Sequence, residues 1–344
     1  MKIAVAQLNY HIGNFEGNVS QMLDAVDKAK NDGADIVCFS ELATCGYPPR
    51  DFLEFDDFIH LAEESIDQLK AAADGIAIVV GSPSRNPKVH GKNLFNSAYF
   101  LADQEVKAVQ HKALLPTYDI FDEYRYFEPA KTLDIVEYKG KKIALTICED
   151  IWDVPLGEEK DHDPLYTICP LDEVRSKNPD FVLNVSASPF SYNHAEKRIE
   201  ILKANVRRYG IPMFYVNHIG AQTEIIFDGG STVMSPNGKV YEEGPYFRTW
   251  YKVFDLDEVI SGNQNIEQVQ YKIQEIHDAL VLGVKDYFGK LGFKKAILGL
   301  SGGIDSAVTA AIAVRALGKE NVRVLLMPSQ YSSDHSVEDL SLIH

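Results

Sequence analysis

Three short stretches of this chain end an apolar run on a side chain able to do chemistry. Residues 142–147 read as a buried strand that stops at Cys148, followed by Glu149, Asp150 and Trp152. A side chain at the end of such a strand is held by a rigid scaffold yet faces a loop-lined cleft, which suits a nucleophile. An isolated cysteine there can equally be a buried structural thiol. Two other strand ends weigh against that plain reading: Phe39-Ser40-Glu41-Leu42 offers a carboxylate, and His111-Lys112-Ala113-Leu114 an ammonium. Glu41 could carry a proton to and from the sulfur, and Lys112 could lower the thiol pKa and steady a developing oxyanion. Singly, each is also what a solvated strand end would show. A histidine partner for Cys148 would have to be His111 or His218, and neither lies in a recognisable context for that chemistry.

The elements that must hold these residues alternate. Residues 2–8 form a first strand; Val19, Met22, Leu23, Val26 and Ala29 fall at helical spacing, with Gly33 placed to end the helix. A strand at 34–39, a helix at about 56–73 and a strand at 76–80 continue the pattern. Later pieces are richer in strands: 94–101, 106–114, and 134–138 turning at Lys139-Gly140 into the Cys148 strand. A strand at 181–185, a helix near 194–209, a strand at 213–217 and segments 224–227 and 231–234 complete them, with a turn at Pro236-Asn237-Gly238. Helices packed on sheets in an α/β fold are expected. Residues 245–257 close a first domain, 1–260, and a polar stretch at 261–265 opens a second, 261–344. There, Ile273, Ile276, Leu280, Val284, Tyr287 and Phe288 mark a long helix, and 295–300 a strand. That strand runs through Gly299 into Ser301-Gly302-Gly303-Ile304-Asp305-Ser306 and an apolar helix. Glycines that let the backbone approach, amides at a helix N-terminus and two hydroxyls make a phosphate cradle, though not a Walker A loop.

Composition sets bounds. At 344 residues two domains are expected. A 45% hydrophobic, 24% charged make-up is that of a soluble globular protein, and a formal charge of −16 argues against a nucleic-acid binder. Four cysteines without a C-x-x-C pair fit reduced thiols and a cytoplasmic location. The first apolar run is too short for a signal peptide, and no stretch approaches a membrane span.

Glutamate, lysine and cysteine in this order, each at a strand end, resemble the nitrilase (carbon–nitrogen hydrolase) superfamily. The resemblance implies a four-layer α-β-β-α sandwich; the alternation alone would allow other α/β folds. It also implies amide hydrolysis, in which the thiolate attacks the carbonyl, ammonia leaves, and water cleaves the thioester. Residues 115–127 resemble the superfamily's loop with a second glutamate, so Glu123 would orient Lys112 and contact the amide, with Tyr118 and Phe121 walling the pocket. Tyr47, in Gly46-Tyr47-Pro48-Pro49-Arg50-Asp51, would lie near the substrate. Ser188 and Arg198, with Lys197, could hold the α-carboxylate of an amino-acid substrate, although a solvated helix face explains the two bases equally well.

Ser301-Gly302-Gly303-Ile304-Asp305-Ser306 resembles the pyrophosphate loop of N-type ATP pyrophosphatases, at the start of a parallel-sheet, Rossmann-like domain. With residues 326–336 and the order of the domains, the whole chain resembles the glutamine-dependent NAD synthetases. That family joins nicotinic acid adenine dinucleotide, ATP and glutamine to give NAD, AMP, pyrophosphate and glutamate. The resemblance implies ATP at Gly299, Ser301, Gly302, Gly303, Asp305 and Ser306, Mg²⁺ on Asp305, and ammonia crossing by an internal tunnel within a homo-oligomer. The alternative is a stand-alone nitrilase-type amidase with a remnant nucleotide-binding segment; a purely structural scaffold would leave the Glu41, Lys112 and Cys148 contexts unexplained. Residues 340–344 break off after two strands of the second sheet, so the chain reads as truncated. Slow glutamine hydrolysis, weak ATP binding and no NAD formation are the expectation.

Overall fold

The computed structural model describes residues 1–88, 90–153, 166, 168–222, 224–267 and 272–326. The stretches 327–336 and 340–344 used in the sequence reading lie outside the described residues. The chain divides into two units, Met1–Ile219 with Phe227–Val269, and Gly220–Ile226 with Gln270–His344. The boundary expected at 260/261 falls nine residues later. Ile266 exchanges backbone hydrogen bonds with Val240 and Glu243, which keeps the linker on the first unit.

The strands of the first unit are β1 (Lys2–Gln7), β2 (Ile36–Cys38), β3 (Ala77–Arg85), β4 (Leu94–Ala102), β5 (Glu105–His111), β6 (Ile135–Tyr138), β7 (Lys141–Ile147), β8 (Phe181–Ser186) and β9 (Met213–Asn217). After the ribbon of β10 (Ile219–Gln222) and β11 (Ile225–Asp228) come β12 (Thr232–Met234), β13 (Val240–Glu243) and β14 (Trp250–Asp255). They form two six-stranded sheets, ordered β14-β1-β2-β3-β4-β5 and β13-β12-β9-β8-β7-β6. At the centre of each sheet three strands run parallel: β1, β2 and β3 in one, β7, β8 and β9 in the other. The helices are α1 (Phe15–Asn31), α2 (Asp56–Ala72), α3 (Pro170–Ser176), α4 (His194–Tyr209) and α5 (Leu256–Ser261).

Period-2 alternation assigns the layers. Ile36 and Cys38 of β2 face inward with Ile3, Val79, Ile143, Leu145, Ile147, Leu183 and Val216, which form the core between the sheets. Val37 faces the other way, with Val19, Met22, Val26, Ile66 and Leu69 of α1 and α2. On the second sheet, Ala144, Val182 and Tyr215 turn outward to Val174 of α3 and Ile199, Leu202 and Val206 of α4. The first unit is therefore a four-layer α-β-β-α sandwich.

In the second unit, α6 (Lys272–Lys290) precedes β15 (Ala296–Leu300), α7 (Ile304–Leu317) and β16 (Val322–Leu326), and the two strands pair in parallel from Ala296↔Val322 to Leu300↔Leu326. The turn 220–226 belongs here because the Ala221 amide donates to Asp286 and its carbonyl accepts from Lys290 Nζ, at 2.8 and 2.9 Å. Ile297, Val324, Leu325 and Leu326 are exposed, so the pair presents uncovered apolar surface among the described residues.

Candidate active site

Glu41 follows β2 directly. The Phe39 amide bonds Val79 and the Gly81 amide bonds Ser40, so the chain lies flat on β3 as it turns. A Cβ on Gly81 would sit 2.3 Å from the Leu42 nitrogen and 2.6 Å from Glu41 Cα. These are backbone atoms that cannot swing aside. Gly81→Ala should therefore push the Glu41 turn off the sheet, destabilise the protein by about 1–3 kcal/mol and depress activity; unchanged thermal melting would refute this.

Lys112 lies one residue beyond β5, its amide bonded to Asn96 of β4 at 2.8 Å. The strand expected at 106–114 stops at His111 because the amides of Ala113 and Leu114 turn to the Asp150 carboxylate, each at 2.9 Å. Cys148 opens a single 3-10 turn at the end of β7 with φ +43, a left-handed conformation rare for a side chain of any size. Glu123 begins a second such turn, Glu123–Arg125.

These elements converge. Lys112 Nζ donates to Glu41 Oε1 and to Glu123 Oε1, both at 2.7 Å. Asn96 Nδ2 spans the same carboxylates, 2.7 Å from Glu41 Oε1 and 3.2 Å from Glu123 Oε2. The Ala187 amide takes Glu41 Oε2 at 3.0 Å, and Tyr47 OH donates to Glu123 at 2.8 Å. Burial alone would pull the Lys112 ammonium down, but Glu123 and Glu41 outweigh it and hold it well above its ordinary range. Burial pushes Glu123 up, against the pull of Lys112. The Cys148 thiol is also pushed well up, by burial first and then by Glu41, with Lys112 opposing. Lys112 does pull the thiol down as expected, but burial and Glu41 outweigh it. A thiol raised in this way calls for a base beside it, and Glu41 is the charged group that acts on it most strongly.

In the second unit, the Ser301 amide donates to Ser306 Oγ at 3.2 Å, and Ser306 Oγ donates to the Gly303 carbonyl at 2.9 Å. Gly302 has φ +83, and Gly303 is the N-cap of α7. Gly299 lies within β15, opposite Leu325. Ser301, Gly303, Ile304 and Asp305 are exposed, and the Gly303 amide, like that of Ser301, is bonded within the loop, to Ser301 Oγ at 3.3 Å. Among the described residues no three His, Cys, Asp or Glu side chains are grouped to hold a metal ion. A lone Asp305 still fits Mg²⁺ carried mainly by nucleotide phosphates.

Comparison with known proteins agrees with both halves. The carbon–nitrogen hydrolase family matches residues 2–153, and the NAD synthase family matches residues 276–343. The chain is thus similar to carbon–nitrogen hydrolases in its N-terminal part and to NAD synthases in its C-terminal part. A glutamine-dependent NAD(+) synthetase from Synechocystis is 42% identical over 98% of this chain, and one from Acinetobacter baylyi 35% identical over 98%. The chain spans 61% and 60% of their lengths, under two thirds. Among solved structures, an Acinetobacter baumannii glutamine-dependent NAD+ synthetase in complex with ADP superimposes with a TM-score of 0.88 at 34% identity, covering 99% of this chain and 62% of that one. An amidase from Nesterenkonia shares the fold at 23% identity and TM-score 0.62, over 76% of this chain and 94% of its own.

Around Glu41, Lys112 and Cys148, the residues expected to bind substrate fall differently. Tyr118 and Phe121 pack edge to face with ring centres 5.5 Å apart. Tyr118 and Tyr166 both donate to Glu149 Oε1, at 2.8 and 2.9 Å. Phe121, Tyr47 and Glu123 line one cavity of about 280 Å³ with Pro48, Arg50 and Tyr126. Tyr47 is buried, its hydroxyl directed at Glu123. Ser188 is also buried, its amide on Asn217 Oδ1 at 2.9 Å and its hydroxyl 2.8 Å from His194 Nε2. Arg198 departs from its expected role. It is buried, bonded twice to Asp228 at 3.0 Å, and lies over the rings of Tyr215 and Tyr246. Its charge is spent on Asp228, so it offers no free cation to a substrate carboxylate. Exposed Lys197 lies over the Trp152 ring, 5.9 Å away.

Sequence reasoning missed Asn96, the Ala187 amide, and the roles of Glu149 and Asp150. An asparagine within the apolar strand 94–101 was the available signal for Asn96, since a buried amide needs partners. Nothing local marks Ala187, whose contribution is a backbone amide.

Proposed function

We propose that the first unit is a glutamine amidase and that the second contributes the ATP-binding loop of a glutamine-dependent NAD synthetase. The observation that carries the amidase reading is the buried ammonium of Lys112, 2.7 Å from both Glu41 and Glu123, beside the strand-end turn of Cys148. Glu41 accepts the thiol proton as sulfur attacks the amide carbon, and Lys112 stabilises the oxyanion. As the carbon–nitrogen bond breaks, Glu41 returns the proton to the departing nitrogen and ammonia leaves. Glu41 then takes a proton from water, which cleaves the thioester to glutamate and restores the thiol. Glu123, fixed by Tyr47 and Asn96, keeps Lys112 in place throughout. Glu149, next to Cys148, and Ser188, next to the Ala187 amide on Glu41, are the polar groups that could select an amino-acid substrate.

In the second unit, the loop amides and the hydroxyls of Ser301 and Ser306 would receive the phosphates, and Asp305 the Mg²⁺. When bound, ATP would supply the adenylyl group that activates the nicotinate carboxylate, with pyrophosphate leaving, and ammonia would then displace AMP. The same reading takes in a homo-oligomer through which ammonia passes, and a reducing, cytoplasmic setting. Cys38, Cys45, Cys148 and Cys169 are free, and no helix among the described residues is long and apolar enough to cross a membrane.

The test is ammonia and glutamate release by the 344-residue chain from glutamine, with asparagine and simple aliphatic amides alongside. Glutamine should be the preferred substrate. A folded chain that releases ammonia from no amide would refute the amidase reading. Equal or faster release from simple amides would favour a stand-alone amidase.

A further inference from the structure

We propose that Asp150 is a positioning residue for the amidase reaction, one carboxylate tying the segment after Lys112 to the turn that carries Cys148. The inference rests on the amidase reading above. Asp150 Oδ1 accepts from the amides of Ala113 and Leu114, and Oδ2 from the amide of Ile147, all at 2.9 Å. The first two amides lie 37 and 36 residues from Asp150 in sequence, and the third immediately precedes the nucleophile. Three donors on a single carboxylate in a site 1% exposed leave it little freedom to turn.

What the clamp controls follows from what else holds each side. The Lys112 backbone is anchored by its amide on Asn96 and by its carbonyl, which accepts from Ala130. Beyond it, both successive amides belong to Asp150. On the other side, Cys148 holds φ +43, a conformation that persists only where neighbours over-determine it. Asp150 Oδ2 braces the residue before that turn, and the Trp152 amide closes it on Glu149. Asp150 therefore sets the separation of the ammonium and the sulfur without touching either one.

The substitution that tests this is Asp150→Asn, which keeps size and one acceptor but turns an amide N–H toward the Ile147 amide. In the 344-residue chain, kcat should fall about 10–100-fold with KM changed less than about threefold, because misplacement acts on the reacting geometry and not on substrate binding. Alkylation of Cys148 by iodoacetamide should slow in parallel, a readout that needs no substrate. A folded variant with kcat and alkylation at the unsubstituted level, or a loss confined to KM, would overturn the proposal. If the unsubstituted chain releases no ammonia, the amidase reading fails on its own and alkylation still judges Asp150. Should the variant not fold, hydrogen exchange in the unsubstituted protein decides. The amides of Ala113, Leu114 and Ile147 should exchange together and slowly, and any of them exchanging like an open loop would refute the clamp.

Discussion

Cys148→Ala is expected to abolish ammonia release from glutamine while the protein stays folded. The sulfur is the only protein atom in the proposed sequence that bonds to substrate, and removal of a covalent nucleophile costs on the order of 10⁶ in kcat. The fold should tolerate the change. Cys148 contributes no hydrogen bond that its neighbours need, and the turn is braced through Ile147 and Trp152 instead. His111→Ala and His218→Ala serve as controls for a thiol–histidine mechanism. His111 stacks on Phe95 with ring centres 4.0 Å apart, bonds Ser97, and is held neutral by burial, its pKa pushed down to about 4. His218 packs its edge on Phe227 at 4.3 Å. The groups acting most strongly on the thiol after burial are Glu41, Lys112, Glu149 and Glu123. Residual glutamine hydrolysis above about 1% of the unsubstituted rate in Cys148→Ala would remove the nucleophile from the mechanism.

The contrast between Glu41 and Asn96 shows what could be read from the sequence. Glu41, Lys112 and Cys148 were legible because each lies at or near the end of an apolar run, although the run through Lys112 read as continuing to Leu114 and the strand stops at His111. The four layers were expected from the family resemblance alone, and it is the fold that sets Val37 against Ile36 and Cys38. The partners that make the residues a site were not legible. Asn96 lies 55 residues from Glu41, and Ala187 lies 146 residues from it. Such ties depend on sheet register and packing, which no local pattern encodes. The same holds for β14, read only as the close of the domain, which pairs antiparallel with β1 from Lys2↔Asp255 to Gln7↔Trp250. Arg198 failed for a different reason. At helical spacing it looks like its neighbour Lys197, and only the fold shows Asp228 waiting beneath it. Lys112 pulls the thiol down as its context implied, but the burial that outweighs it has no sequence signature.

Lys112→Ala should cost more than activity. Loss of the oxyanion stabiliser should lower glutamine hydrolysis by ~10²–10³-fold, and Glu41→Gln by a similar factor through loss of the proton carrier. Lys112→Ala should also destabilise the fold by about 3–5 kcal/mol near pH 8, because it leaves two buried carboxylates sharing Asn96 without their cation. Glu41→Gln should cost less, because Lys112 keeps Glu123. The lysine substitution carries a pH signature of definite sign. Burial already raises Glu123, Lys112 opposes, and Glu41 raises it further. Without the ammonium, that opposition vanishes and protonation becomes more favourable in the folded state than in the unfolded chain. A carboxyl whose folded pKa lies above its unfolded value gains stability as pH falls. The deficit of Lys112→Ala relative to the unsubstituted protein should therefore shrink between pH 8 and pH 5, in urea melts at the two values. A deficit that stays constant, or grows on acidification, would mean that the carboxylates do not depend on Lys112. Activity within tenfold of the unsubstituted chain would mean the same for catalysis.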